Sequence, residues 1–130
     1  MLVVDDDLNI CRLIKFKLTN KGYELMEAHN GEDALIKAVL FKPDLILLDV
    51  MMPKMNGWEV YGKLKEHAEL KEIPVIMVTA VSQLDESFEN INAQNIKGYI
   101  KKPFDFSELI KTIEKNLGQA VDGSPFGSLS

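Results

Sequence analysis

Residues 45–49 read Leu-Ile-Leu-Leu-Asp. Four consecutive apolar residues with no polar alternation suit a strand covered on both faces, the condition found in the middle of a parallel sheet. The aspartate that ends the run is the first sign of chemistry, because a lone carboxylate beside so apolar a segment is costly unless paired or metal-bound.

Four further segments read as strands: Leu2 to Val4, Tyr23 to Ala28, Val75 to Val78 and Gly98 to Ile100. Helical spacing follows each: Ile10, Leu13, Ile14 and Leu18; Leu35, Ala38 and Val39; Val60, Tyr61 and Leu64; Leu84, Phe88 and Ile91; and Phe106, Leu109, Ile110, Ile113 and Leu117. Gly22 is placed to close the first helix, Asn56 and Gly57 to open the third, and Asp105 with Glu108 resembles a capping box for the fifth. Strict alternation of strand and helix predicts a mostly parallel, doubly wound α/β sheet with helices on both faces.

Composition sets bounds on function. At 130 residues, 46% hydrophobic and 27% charged, the chain is one ordinary globular domain. A net charge of −5 argues against direct nucleic-acid binding. The single cysteine, Cys11, cannot form an intramolecular disulfide, and no apolar run is long enough to span a membrane, which points to a cytoplasmic protein. Residues 119–130, rich in Gly and Ser, read as a flexible tail after a domain of residues 1–118. They are either a linker to an output domain or sequence left from expression, and their composition favours neither.

All strands of such a sheet end at one edge, where ligands bind at the point of reversed strand order. The residues at those ends are Asp5, Asp6 and Asp7 after the first strand, Asp49 after the third, Thr79 after the fourth and Lys101, Lys102 and Pro103 after the fifth. Asp7 reads as a helix cap. The remaining clustered carboxylates call for a hard divalent cation with oxygen ligands, naturally Mg²⁺. His29 and His67 have no Cys or His companion at metal-ligand spacing, so the sequence points away from a transition-metal site and both read as surface histidines. Met51, Met52 and Met55 serve either as partner surface or as core filling. Gly98 reads as a close approach, and Trp58 as packing on the third helix.

The segments VVDDD, LILLDVMMPKMNG, IMVTA and GYIKKPF resemble, in order and spacing, the four signature segments of response-regulator receiver domains of bacterial two-component systems, across Leu2 to Leu117. The resemblance implies a flavodoxin-like fold, five parallel strands in the order 2-1-3-4-5 with five helices. It implies that Asp49 is the phosphoacceptor, Thr79 the switch hydroxyl and Lys102 the phosphate-binding lysine, these three carrying catalysis. For Mg²⁺ it implies Asp6 and Asp49 as direct ligands, Asp5 acting through water, and Met51 by its backbone carbonyl alone. Tyr99 becomes the aromatic switch residue and Lys102–Pro103 a cis peptide. The implied partners are a sensor histidine kinase or histidine phosphotransfer protein, and an output domain or effector reading the face of the fourth helix, fifth strand and fifth helix. Phosphorylation-dependent homodimerisation is a further expectation. The chain catalyses at most its own phosphorylation and dephosphorylation.

Three departures stand out: few residues before Asp5, which implies a weakened edge of the sheet; Asn95, Ile96 and Lys97 where small residues are common; and a fifth helix lacking the arginines typical of receivers tethered to winged-helix output domains. The alternative is a phosphorylation-independent docking module on the same fold. Such modules lack an acid or the lysine, and this chain keeps them all. A flavin-binding domain would need Ser, Thr or Gly after the first strand, where Asp5 to Asp7 repel phosphate.

Overall fold

In a computed structural model, residues 1–79 and 96–117 are described. The strands are β1 (Leu2–Val4), β2 (Met26–Ala28), β3 (Ile46–Asp49), β4 (Val75–Thr79) and β5 (Ile96–Lys101), and the helices α1 (Leu8–Thr19), α2 (Gly31–Phe41), α3 (Gly57–Glu66) and α4 (Phe106–Leu117). α4 is the fifth of the helical segments expected from the sequence. The fourth, Leu84 to Ile91, and the tail 119–130 lie outside the described residues.

The five strands form one parallel sheet in the order β2-β1-β3-β4-β5, as the sequence reading expects. Alternate residues of each central strand enter opposite cores. Leu2, Val4, Ile46, Leu48, Val75 and Met77 pack with Ala34 and Ala38 of α2 and Val60, Tyr61 and Leu64 of α3. Val3, Leu47, Ile76 and Val78 pack with Cys11, Ile14 and Leu18 of α1 and Leu109 and Ile113 of α4. Every position of β1, β3 and β4 is therefore buried, which is why these strands show no polar alternation.

β2 is shorter than the expected Tyr23 to Ala28. It lies at the sheet edge and pairs only with the three residues of β1, from Leu2 with Met26 to Val4 with Ala28, so Tyr23 to Leu25 have no strand to join. Conversely, β5 extends beyond Gly98 to Ile100, because β4 offers partners along its whole length, with an irregularity in register between Val75 and Ile76. Despite its length of three residues β1 is paired on both sides.

The helix ends follow local chemistry. Asp7 caps α1, its Oδ1 accepting from the N–H groups of Asn9 and Ile10 at 2.9 and 3.3 Å. Gly22 has φ +96° and its N–H reaches Thr19 O at 2.9 Å, closing that helix. A full capping box forms at α3 between Asn56 and Glu59. At α4 the expected box with Glu108 is not made among the described residues: Asp105 Oδ1 accepts instead from Ser107 N–H at 2.8 Å, one residue short of the box position.

Candidate functional site

Strand order reverses between β1 and β3, and the two most deeply buried acids among the described residues stand at the C-terminal ends of those strands. Asp5 is 3% exposed and Asp49 also 3%. Asp6, beside them, is exposed. One carboxylate oxygen from each of the three lies within 4.8 Å of the others.

Lys102 reaches this cluster from the end of β5. Its Nζ donates to Asp5 Oδ2 at 2.9 Å and lies 3.1 Å from Asp49 Oδ1. The Lys102 backbone is tied to β4, its N–H donating to the Thr79 carbonyl at 2.9 Å. The Lys102–Pro103 peptide is cis, as the resemblance implies. Lys101, next to it, is exposed. Thr79 ends β4 with 1% exposure, its position on the rim fixed by that same bond.

Charge and burial oppose each other here. Burial, followed by repulsion from Asp5, pushes the Asp49 carboxyl up to about 6, and the Lys102 amine only partly offsets this. Burial by itself would lower the Lys102 amine. Its hydrogen bond to Asp5 and the charges of Asp49 and Asp5 outweigh that cost and hold its pKa above the ordinary lysine value. Asp49 is thus a carboxylate at neutral pH but a strained one, and a second cation would relieve it. The donors offered are all hard oxygens, so the residues present fit Mg²⁺.

The loop after β3 is built closely against Asp49. Gly57 N–H donates to Val50 O at 2.9 Å, and a Cβ at Gly57 would overlap the Asp49 carbonyl oxygen and come 2.8 Å from Val50 Cα. Only glycine opens α3 this near the site. The methionines divide between the two roles left open by the sequence: Met52 is buried, Met55 packs against the core, and the Met51 side chain is 63% exposed. Tyr99 lies on β5, partly buried against the α2–α3 core and some way below the rim. Burial, with Tyr61 nearby, pushes its hydroxyl up to about 12. Gly98 meets α4 closely, where a Cβ would lie 2.9 Å from Thr112 Cγ2.

One grouping escaped the sequence reading. His29 does have metal-ligand company, for Cys11, Glu27 and His29 offer donor atoms within 4.8 Å of one another. The available signal was modest: Cys11 shares the inward stripe of α1 with Ile14 and Leu18, and Glu27 and His29 are two residues apart at the end of β2. His67 has a structural task instead, capping α3 and accepting from Glu69 N–H at 3.2 Å.

A doubly wound sheet with carboxylates and a lysine gathered over its switch point defines a flavodoxin-like domain with a polar site on its rim. The profile of the response regulator receiver domain matches residues 1–114. The chain is 39% identical over 120 residues to the polar-differentiation response regulator DivK of Brucella anthropi, covering 92% of this chain and 96% of DivK. It is 36% identical to the alkaline phosphatase synthesis transcriptional regulatory protein PhoP of Bacillus subtilis over 96% of this chain, and spans about half (51%) of that protein. Among solved structures, response regulator TrrA of Thermotoga maritima in complex with Mg²⁺-BeF has a TM-score of 0.76 and 36% identity, covering 88% of this chain and 96% of that one. Chemotaxis protein CheY4 of Vibrio cholerae also gives 0.76, with 31% identity over 86% and 92%. The chain belongs to the response regulator receiver domain family.

Proposed function

We propose that Asp49 accepts a phosphoryl group in a Mg²⁺-dependent reaction and that the domain, residues 1–118, transmits its phosphorylation state to a partner. The observation that carries this reading is the Lys102 amine set between Asp5 and Asp49 at the switch point, with Asp6 alongside. Asp6, Asp49 and the Met51 carbonyl would hold Mg²⁺ directly and Asp5 through water; when bound, the ion neutralises charge on the phosphoryl oxygens. That a similar protein, TrrA of Thermotoga maritima, is found in complex with Mg²⁺-BeF supports Mg²⁺ as the ion.

An Asp49 oxygen attacks phosphorus as the bond to the donor breaks, and the donor leaves with the electron pair of that bond. Lys102 follows the charge, moving from the Asp49 carboxylate to a phosphoryl oxygen, while it keeps Asp5 as anchor. Thr79 donates its hydroxyl to another oxygen. With Thr79 drawn toward the site, Tyr99 on the neighbouring strand can repack, carrying the signal to the face of β5 and α4. One hydrogen bond contributes only about 1 kcal/mol, so the step shifts the balance of two states already close in energy.

The phosphodonor is a sensor histidine kinase or a histidine phosphotransfer protein, and the receiver of the signal is an output domain, an effector or a second phosphorylated copy. Among the described residues no helix is long and apolar enough to cross a membrane; the single free, buried Cys11 fits a cytoplasmic setting. The test is intact mass after incubation with a small phosphodonor. Wild type gains one phosphoryl group only with Mg²⁺, and Asp49→Asn gains none at a comparable rate. Equal labelling of the two proteins would defeat the proposal.

A further inference from the structure

Beside the acidic rim, where α1 crosses the end of β2, three chemically different donors meet. The Cys11 sulfur is fully buried and donates to the Asp5 carbonyl at 3.3 Å. His29 Nε2 lies 2.8 Å from Glu27 Oε1, and the two side chains are 39% and 15% exposed. All three donor atoms fall within 4.8 Å of one another. We propose that Cys11, Glu27 and His29 form a site for one divalent transition-metal ion of zinc's class, distinct from the Mg²⁺ rim.

Thiolate, imidazole and carboxylate are the ligand types zinc accepts, and three protein ligands with a fourth position for water is a recurring arrangement. With Zn–S near 2.3 Å and Zn–N and Zn–O near 2.0 Å, tetrahedral donors stand roughly 3.3–3.6 Å apart. The Glu27–His29 pair must open by about 0.5 Å to meet that spacing, within the reach of side-chain rotation. The sulfur must turn from the Asp5 carbonyl, a weak bond to give up. Partly exposed His29 supplies the entry path, and buried Cys11 the closed end.

Ligand softness separates the two sites. The rim offers oxygens alone and suits Mg²⁺, whereas sulfur and imidazole favour zinc's class. Arg12 and Lys15 border the cleft beside Glu27, so affinity here comes from sulfur and imidazole and not from net negative charge. Burial, then Asp5 and Glu27, push the thiol up to about 12; binding must therefore displace a proton, and the ion's own charge is what makes that favourable. The Lys37 amine donates to the Glu27 carbonyl at 2.6 Å, holding the strand end in place.

Co²⁺ is the probe, because a bond from cobalt to sulfur has its own near-ultraviolet charge-transfer band. Metal-stripped full-length protein is titrated with Co²⁺ in saturating Mg²⁺ and a phosphine reductant. The expected result is one equivalent bound with the sulfur-to-cobalt band, and displacement of that band by Zn²⁺. Cys11→Ala removes the band, His29→Ala weakens Zn²⁺ binding by about tenfold or more, and Asp49→Asn leaves the band unchanged. Cobalt binding to wild type without the band would overturn the site, and so would a Zn²⁺ affinity indifferent to both Cys11→Ala and His29→Ala. The wild-type spectrum decides the matter even where a variant fails to fold.

Discussion

Replacing Asp49 by Asn is expected to stabilise the metal-free protein. The folded-state pKa of Asp49 stands at about 6 against an ordinary 3.8, a difference of about 2 units, each corresponding to about 1.36 kcal/mol. Ionising this carboxylate therefore costs the fold on the order of 3 kcal/mol, a net figure that already includes the attraction of Lys102. The sign runs opposite to that of a salt-bridged carboxylate. Because the folded state binds the proton more tightly than the unfolded chain, the penalty is full above pH 6. It fades as pH falls through 6 and is gone below about 3.8. Asparagine has the same shape without the charge. In EDTA at pH 7.5, Asp49→Asn should be more stable by about 1–3 kcal/mol, the lower bound allowing for relaxation around the acids. At pH 4 the two proteins should converge. Urea unfolding followed by the fluorescence of the single tryptophan, buried Trp58, reads this directly. Adding Mg²⁺ should narrow the gap by stabilising the wild type through mass action. A variant less stable than wild type at pH 7.5, or a gain that persists unchanged at pH 4, would refute the reasoning.

Three further substitutions separate the roles of the rim. Lys102→Met leaves Asp5 and Asp49 facing each other without their cation, so stability in EDTA at pH 7.5 should fall by about 1–3 kcal/mol; an unchanged urea midpoint would show that the amine does not offset their repulsion. Asp6 is exposed, so Asp6→Ala should leave metal-free stability within about 0.5 kcal/mol while weakening Mg²⁺ binding about tenfold or more by calorimetry. Undiminished Mg²⁺ affinity would remove Asp6 from the ligand set. Gly57→Ala forces a methyl against the Asp49 carbonyl; a loss of about 1–3 kcal/mol with slower phosphoryl labelling is expected, and neutral behaviour in both assays would mean that the loop yields freely.

Much of this was legible in the residues, for reasons particular to them. Leu45 to Leu48 and Val75 to Val78 show no alternation because both faces of their strands are covered, and that pattern sets the fold class. Asp5, Asp49, Thr79 and Lys102 were readable as one site because parallel strands end at one edge. Length at the sheet margins was not legible: Tyr23 to Leu25 are as strand-like as Met26 to Ala28, and only the extent of β1 decides where pairing stops. Nor was the meeting of Cys11 with Glu27 and His29, since it depends on how α1 crosses β2, and Cys11 in an apolar stripe reads as core. Asp105 shows the same limit, for its spacing to Glu108 suggests a capping box where the side chain caps Ser107 N–H instead.

The central claim is that Asp49 carries the phosphoryl group, and borohydride trapping tests it most directly. An aspartyl phosphate is an acyl phosphate, and hydride reduces it to homoserine while free carboxylates are untouched. The protein is labelled with a small phosphodonor and Mg²⁺, reduced, digested and mapped by peptide mass. The expected result is homoserine at position 49 alone, and none when Mg²⁺ is withheld. Homoserine at position 5 or 6, or labelled protein with Asp49 intact, would contradict it.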